Sequence, residues 1–221
     1  MKTKQPPDTA KPMESDTVYW NRRAAFYDKT VGNRRGFHRD QITRIKRALN
    51  PEDIVVEIAC GTGVIACAVA SHVKAVYASD FAPRMLEIAR LRARRQGLGN
   101  VRFARENACA LSCPDSCCDA VIICAALHLL AQPKKAMAEI RRILKPGGLL
   151  LTSSYLARQS LMNRLGNALM SMGGYRDRQK WNAEAFLRFL QDQGFAVKDS
   201  CQYTVFPIPV QYVIAQMQTL N

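Results

Sequence analysis

No apolar run in this chain approaches the roughly 20 residues that span a bilayer. The longest, Ala120 to Ala131, is short and contains His128. The N-terminus, "MKTKQPPDTAKPMESD", has no apolar stretch behind it. It therefore reads as a polar, disordered tail over residues 1–17 rather than a signal peptide. No internal repeat or low-complexity block follows it. Acidic residues are few: 18 Asp and Glu against 32 Lys and Arg, a net charge of +14. That imbalance favours anionic partners, whether acidic metabolites, lipid headgroups or nucleic acid. Histidine is scarce too, at three residues. None lies among Cys109, Cys113, Cys117 and Cys118, whose spacing matches no zinc pattern, so no metal is expected. Eight cysteines without an export signal point to a reducing, cytoplasmic setting, with several serving as small core residues.

What is present is enough for one α/β domain. At 221 residues the chain can bury one sizeable core. Residues 36–49 place Phe37, Ile42, Ile45 and Leu49 near helical spacing. The pattern then alternates. Strands are expected at about 54–59, 73–79, 101–105, 119–125 and 148–154. Helices are expected at about 64–71, 82–96 and 133–144, the last ended by Lys145-Pro146-Gly147-Gly148. Such alternation means a mostly parallel sheet with right-handed crossovers. Beyond residue 155 a methionine-rich insertion at about 156–180 is expected over the sheet's carboxyl edge. Asn182 then caps a helix closed by Gly194. Segments at about 196–205 and 210–217 would add an antiparallel hairpin. The expected division is thus a tail (1–17), an N-terminal helical cap (18–50) and the main domain (51–221).

The chemistry starts at "VVEIACGTGVIA", residues 55–66, where an apolar strand meets a glycine turn and a helix. Gly61-Thr62-Gly63-Val64-Ile65-Ala66 fits a permissive dinucleotide fingerprint. Charge separates the options. A pyrophosphate needs bare N–H groups and no anion nearby. Here Glu57 stands four residues before Gly61, which suits a cationic ligand such as an ammonium. Asp80, ending the next strand in "VYASDF", can accept both hydroxyls of a ribose. Ribose, ammonium and no phosphate point to S-adenosylmethionine.

Four stretches in order, "VVEIACGTGVIA", "VYASDFAPRMLEIAR", "NACALSCPDSCCDAVIICAALHLL" and "AMAEIRRILKPGGLLLTSSY", resemble the class I S-adenosylmethionine-dependent methyltransferases over about residues 54–155. Within them the chain is similar to the small-molecule branch of quinone-biosynthesis C-methyltransferases and phospholipid N-methyltransferases. The resemblance implies a Rossmann-like three-layer sandwich with a mostly parallel seven-stranded sheet and an antiparallel C-terminal hairpin strand. It also implies, as cofactor residues, Glu57, Ala59, Cys60, Gly61 and Gly63 around the methionine half, Asp80 at the ribose, and Phe81, Met85, Asn107 and Ala108 at the adenine. Cys124 falls beside the sulfonium, and Tyr27 reaches over the cofactor. Three departures stand out. Ala59 replaces the family's usual first glycine, Asn107 its usual Asp, and Cys113 and Cys118 stand where this branch usually has phenylalanine.

A sulfonium methyl is already activated, so holding a nucleophile in line and excluding water supplies most of the acceleration. A base is needed only where the acceptor carries a proton. His128, in "AALHLL", is the candidate base, or else it packs at a helix start. Tyr19, Trp20, His128 and Tyr155 are the candidate acceptor-binding residues, with core packing the stronger alternative for Trp181. A nucleic-acid methyltransferase would bring an Asn/Asp-Pro-Pro-aromatic turn or a Pro-Cys nucleophile after the fourth strand, and "CAALHLL" has neither. The other alternative is a non-enzymatic binding or scaffold protein that has kept the fold, and the intact Glu57, Gly61, Gly63 and Asp80 argue against it. The expected partner is a small, amphiphilic acceptor, quinone- or lipid-like. Basic helices near 34–47 and 90–95, with the apolar insertion (Leu161, Met162, Leu165), suggest peripheral contact with an anionic membrane.

Overall fold

A computed structural model describes residues 14–32, 35–157, 177–204 and 209–218. Two helices, α1 (Glu14–Gly32) and α2 (Arg35–Ala48), precede the alternating part. There follow β1 (Ile54–Ile58), α3 (Val64–Ala70), β2 (Ala75–Asp80), α4 (Pro83–Arg95), β3 (Val101–Arg105) and β4 (Cys118–Cys124). After a 3-10 turn at Leu127–Leu129 come α5 (Pro133–Ile143), β5 (Leu144–Tyr155), α6 (Ala183–Asp192), β6 (Phe195–Tyr203) and β7 (Val210–Met217). The sheet has seven strands in the order β3-β2-β1-β4-β5-β7-β6. β1 to β5 run parallel, and β7 lies antiparallel between β5 and β6. The expected three-layer α/β fold is the one found.

Strand composition explains the layering. β4, "CDAVIIC", is apolar on both faces, as a central parallel strand must be. Its Val121 and Ile123 join a cluster with Met137 and Ile140 of α5 and Phe186 and Leu190 of α6. Its Ala120 and Ile122 point the other way, into a cluster with Ile45 of α2, Val69 of α3 and Leu86 of α4. Helices α2–α4 thus cover one face, and α5 and α6 the other. Between β1 and β4 the strand order reverses, and there the connections leave in opposite directions and open a crevice at the carboxyl edge.

Boundaries differ from the expected ones for local reasons. β2 starts at Ala75 rather than 73, after a bend at residues 73–74 whose Lys74 N–H donates to the Asp53 carbonyl (3.1 Å). β5 begins at Leu144 because that residue already pairs with Cys118, before the Lys145–Gly148 turn. Asn182 caps α6 as expected, its Oδ1 accepting from the Ala185 N–H at 2.8 Å, and Gly194 ends it at φ 80°. The tail reading needs correction: α1 starts at Glu14, inside 1–17, and Asp16 places an acid in its first turn, where the helix dipole favours one. Residues 1–13 and most of the expected insertion, 158–176, lie outside the described residues. No described helix is long and apolar enough to cross a membrane.

Gly63 opens α3 at φ 73°, and a Cβ there would meet the Ala89 Cβ at 2.9 Å and the Phe103 ring at 3.3 Å. Gly97 has a similar φ of 64° but nothing within 4 Å. Gly97→Ala should therefore cost only the left-handed strain, about 1–2 kcal/mol. Gly63→Ala should add an overpacking cost of about 1–3 kcal/mol. Urea unfolding of the two variants measures the difference, and equal losses would show that α3 and α4 are not in tight contact there.

Candidate active site

The crevice floor is the turn from β1 into α3. Three of its five residues, Ala59 (φ 56°), Gly61 (φ 55°) and Gly63 (φ 73°), are left-handed. Ala59 therefore adopts the conformation its glycine counterpart would, and pays about 1–2 kcal/mol for a Cβ there. The turn is tied down by the Cys60 N–H donating to the Ser79 carbonyl (2.9 Å) and the Gly63 N–H to the Cys60 carbonyl (3.0 Å). Asp80 fastens it from the side: the Gly61 N–H donates to Oδ2 at 2.9 Å and the Ala82 N–H to Oδ1 at 2.8 Å. One carboxylate thus sets the spacing of the loops that follow β1 and β2.

Glu57 is buried beneath that turn. Its Oε2 has no partner among the described residues. Burial, with the nearby Asp80 charge adding to it, pushes the Glu57 carboxyl up to about 8, and burial raises Asp80 as well. Two buried carboxyls and an orphaned oxygen form an electron-rich pocket that a cation would complete and a pyrophosphate would be repelled from.

The loops after β2 and β3 carry the residues expected at the adenine. Met85 is buried and Phe81 partly so, both in a small cluster with Ala24, Trp20 and Tyr27 of α1. Asn107 and Ala108 lie in the turn after β3, where the Asn107 Oδ1 accepts from the Cys109 N–H at 2.9 Å. That bond takes one lone pair of the oxygen expected to face a base. Tyr27 lies over the glycine turn, its ring 3.6 Å from where a Gly61 side chain would begin. Tyr19 packs edge-on to Trp20, with centroids 5.1 Å apart, and Trp20 edge-on to Tyr27 at 6.2 Å.

On the far side of the crevice, His128 is fully buried in the 3-10 turn after β4. Its ring meets Tyr155 edge-on at 5.4 Å, so two residues expected separately lie together. Burial lowers the imidazole to about 3, which keeps it neutral at ordinary pH. The Arg178 and Gln179 N–H groups donate to the His128 carbonyl at 3.0 and 2.9 Å. Cys124 ends β4, half-buried, its thiol held above the ordinary range by desolvation. Trp181 belongs to the core instead, stacked on Phe189 at 4.7 Å. Among the described residues no group of three or more His, Cys, Asp or Glu is arranged to hold a metal.

Several neighbours escaped the sequence reading. Gln41 of α2 is buried and donates to the Ser153 Oγ (3.0 Å) and the Cys124 Sγ (3.3 Å), which joins α2 to the ends of β4 and β5. Asp28 of α1 accepts from the Thr62 hydroxyl at 2.7 Å and pairs with Arg92 of α4 at 2.6 Å. Arg92 also donates to the Thr62 carbonyl (2.9 Å), and at the other end of α1 Asp16 pairs with Arg178 at 3.0 Å. A glutamine in a basic helix, or an Asp 34 residues before a threonine, carries no local signature.

Residues 56–152 match the family model described as a methyltransferase domain. The demethylmenaquinone methyltransferase of Thermus thermophilus is 39% identical over 103 residues, 46% of each chain. The ubiquinone/menaquinone biosynthesis C-methyltransferase UbiE of Francisella tularensis subsp. novicida is 32% identical over 126 residues, 54% of this chain and 50% of the relative. The chain thus spans about half the length of the curated relatives it matches. A SAM-dependent methyltransferase from Methanosarcina mazei shares the fold at a TM-score of 0.69 and 22% identity, covering 80% of this chain and 97% of that one. Residues 56–152 thus resemble the methyltransferase domain family and, in sequence, the quinone-biosynthesis C-methyltransferases, and the chain shares the fold of a solved S-adenosylmethionine-dependent methyltransferase.

Proposed function

We propose that this chain transfers a methyl group from S-adenosylmethionine to a small, amphiphilic acceptor, quinone- or lipid-like, and releases S-adenosylhomocysteine. One observation carries the reading: a buried glutamate with an orphaned oxygen stands beside a buried aspartate where the sheet order reverses. The residues present fit a cofactor that is cationic, bears a ribose and lacks a phosphate. Bound there, S-adenosylmethionine would supply an activated methyl group. The names of the relatives, both quinone-pathway methyltransferases, support the acceptor class.

The chain's own residues divide the work. Glu57 holds the ammonium end, and Asp80 accepts ribose hydroxyls while its backbone bonds keep the glycine turn in place. Phe81 and Met85 give the adenine an apolar wall. Tyr27 covers the turn and excludes water, which strengthens every polar contact beneath it. Gln41 fixes Cys124 and Ser153 at the strand ends beside the reacting atoms. Tyr155 and His128 face the acceptor. Where the acceptor loses a proton as the new bond forms, the neutral His128 imidazole takes it, provided that a polar or anionic acceptor seated against the ring offsets the burial that lowers its basicity.

Asp80→Ala should weaken S-adenosylmethionine binding by about 1–3 kcal/mol, the cost of unpaired polar groups, as read by titration calorimetry. Unchanged affinity would remove Asp80 from the ribose site. A cation against Glu57 favours its ionised form, so binding below pH 8 must expel the carboxyl proton. Affinity should then rise as pH goes from about 6 to 7.5, by up to about tenfold per unit, and Glu57→Gln should flatten that slope. A wild-type slope as flat as the variant's would mean that the carboxyl meets no cation. His128→Ala should lower turnover of a proton-bearing acceptor by about 10²–10⁴-fold with cofactor affinity preserved. The acceptor itself is found by incubating small-molecule extracts with isotopically labelled cofactor and searching for labelled products by mass spectrometry. No labelled product beside intact cofactor binding would indicate a binding protein rather than an enzyme.

A further inference from the structure

Among the described residues three large apolar side chains stand exposed: Val18 (43%), Phe26 (65%) and Leu91 (50%). All three lie on one pair of packed helices. Val18 and Phe26 are on α1, spaced two helical turns apart on its outer face, and Leu91 is on α4. The two helices touch through Ala24, Met85 and Ile88, through the Arg84 N–H to Asn21 Oδ1 (3.1 Å), and through Asp28 with Arg92. The same pair carries an excess of exposed cations: Arg22, Arg23, Lys29, Arg90, Arg94 and Arg95. None of these six has an ion-pair partner among the described residues. The acids that could neutralise them are already engaged, Asp16 with Arg178, Asp28 with Arg92 and Glu87 with Arg84. Lys29 lies over the Phe26 ring at 5.9 Å, which places a positive charge directly on the most exposed apolar group.

We propose that the outer face of α1 and α4 docks on an anionic bilayer surface, with Val18, Phe26 and Leu91 entering the acyl boundary and the surrounding arginines meeting lipid phosphates. Isolated apolar side chains ringed by unneutralised cations are the pattern of an interfacial helix, and charge complementarity selects an anionic surface. A nucleic acid would satisfy the arginines but leave two aliphatic side chains, Val18 and Leu91, in water. α2 is as basic in sequence, yet it exposes no large apolar residue and one of its arginines, Arg44, is paired with Asp40 and Asp199. The position of the face matters for function. α1 crosses the carboxyl edge from Thr62 of the glycine turn to Arg178 beside His128, so a surface seated on α1 brings its amphiphiles to the crevice mouth. This siting rests on the amphiphilic-acceptor reading above.

The test is co-sedimentation of the whole chain with phosphatidylcholine vesicles, with and without phosphatidylglycerol, at low and high salt. Pelleting should require the anionic lipid. Arg94→Glu with Arg95→Glu should weaken it at least 25-fold, about fivefold for each basic residue lost near an anionic surface. Phe26→Ser with Leu91→Ser should abolish the part that survives high salt. Arg39→Glu with Arg47→Glu on α2 should leave pelleting intact. All these side chains are exposed, and circular dichroism confirms that each variant is folded. Absence of anionic-lipid dependence, equal loss in the α2 variant, or tighter binding to a duplex RNA lost in the same α4 variant would each overturn the proposal. Calorimetry of cofactor binding without vesicles keeps the two readings apart. Intact cofactor binding with no pelleting defeats the docking face alone, and pelleting without cofactor binding defeats the methyltransferase reading alone.

Discussion

The carboxylate of Asp80 is the constraint on which the crevice depends. Its two oxygens receive the N–H groups of Gly61 and Ala82, one from the turn after β1 and one from the turn after β2. Neighbouring parallel strands would hold their ends about one strand spacing apart in any case. What the carboxylate adds is a fixed angle between the two loops, in a place where three left-handed residues would otherwise leave the first loop strained and free to move. Burying a charge to achieve this is costly, and burial accordingly raises the carboxyl above its ordinary value. A ligand that offers hydroxyls to the same carboxylate lowers that cost.

Glu57 works by the opposite logic. Asp80 is buried and satisfied by backbone, whereas Glu57 is buried with one oxygen left over. The first organises the turn; the second leaves it incomplete. Buried polar groups in native structures are mostly hydrogen-bonded, so an unpaired carboxyl oxygen in a crevice calls for a partner, whether water, an ion or a ligand. In the function proposed above, the pairing of a satisfied acid with an unsatisfied one, rather than the glycines alone, is what separates this crevice from a dinucleotide site.

Much of the fold was legible because it rests on local signals. Apolar runs of strand length, the glycines at 61 and 63, Asn182 and Gly194 at the ends of α6, and Pro146-Gly147-Gly148 after α5 each act within a few residues. β3 and β7 accordingly fall at their expected positions, and most others shift by a residue or two. The residues around the glycine turn and Asp80 were legible for the same reason, since strand ends fix where they project. Long-range pairings were not. Gln41 reaches Ser153 across 112 residues and Asp28 reaches Thr62 across 34, and neither contact leaves a trace in periodicity or spacing. The start of α1 within a proline-punctuated stretch has no local signal, since Asp16 in its first turn pairs with Arg178, 162 residues further along the chain. Cys113 and Cys118, which stand where phenylalanine is usual, pack into the α5–α6 side of the core, and nothing in the structure explains the exchange.

The two ends of α1 are fastened differently from the sheet beneath them. Asp28 with Arg92 and Asp16 with Arg178 are ionic ties, the first of them half-open to water, whereas β1, β4 and β5 are held by packed aliphatic side chains. Dissolved ions weaken the former and leave the latter untouched. Rising ionic strength therefore loosens the cover while the platform stays rigid, and the cover's grip becomes a property of the medium as well as of the chain.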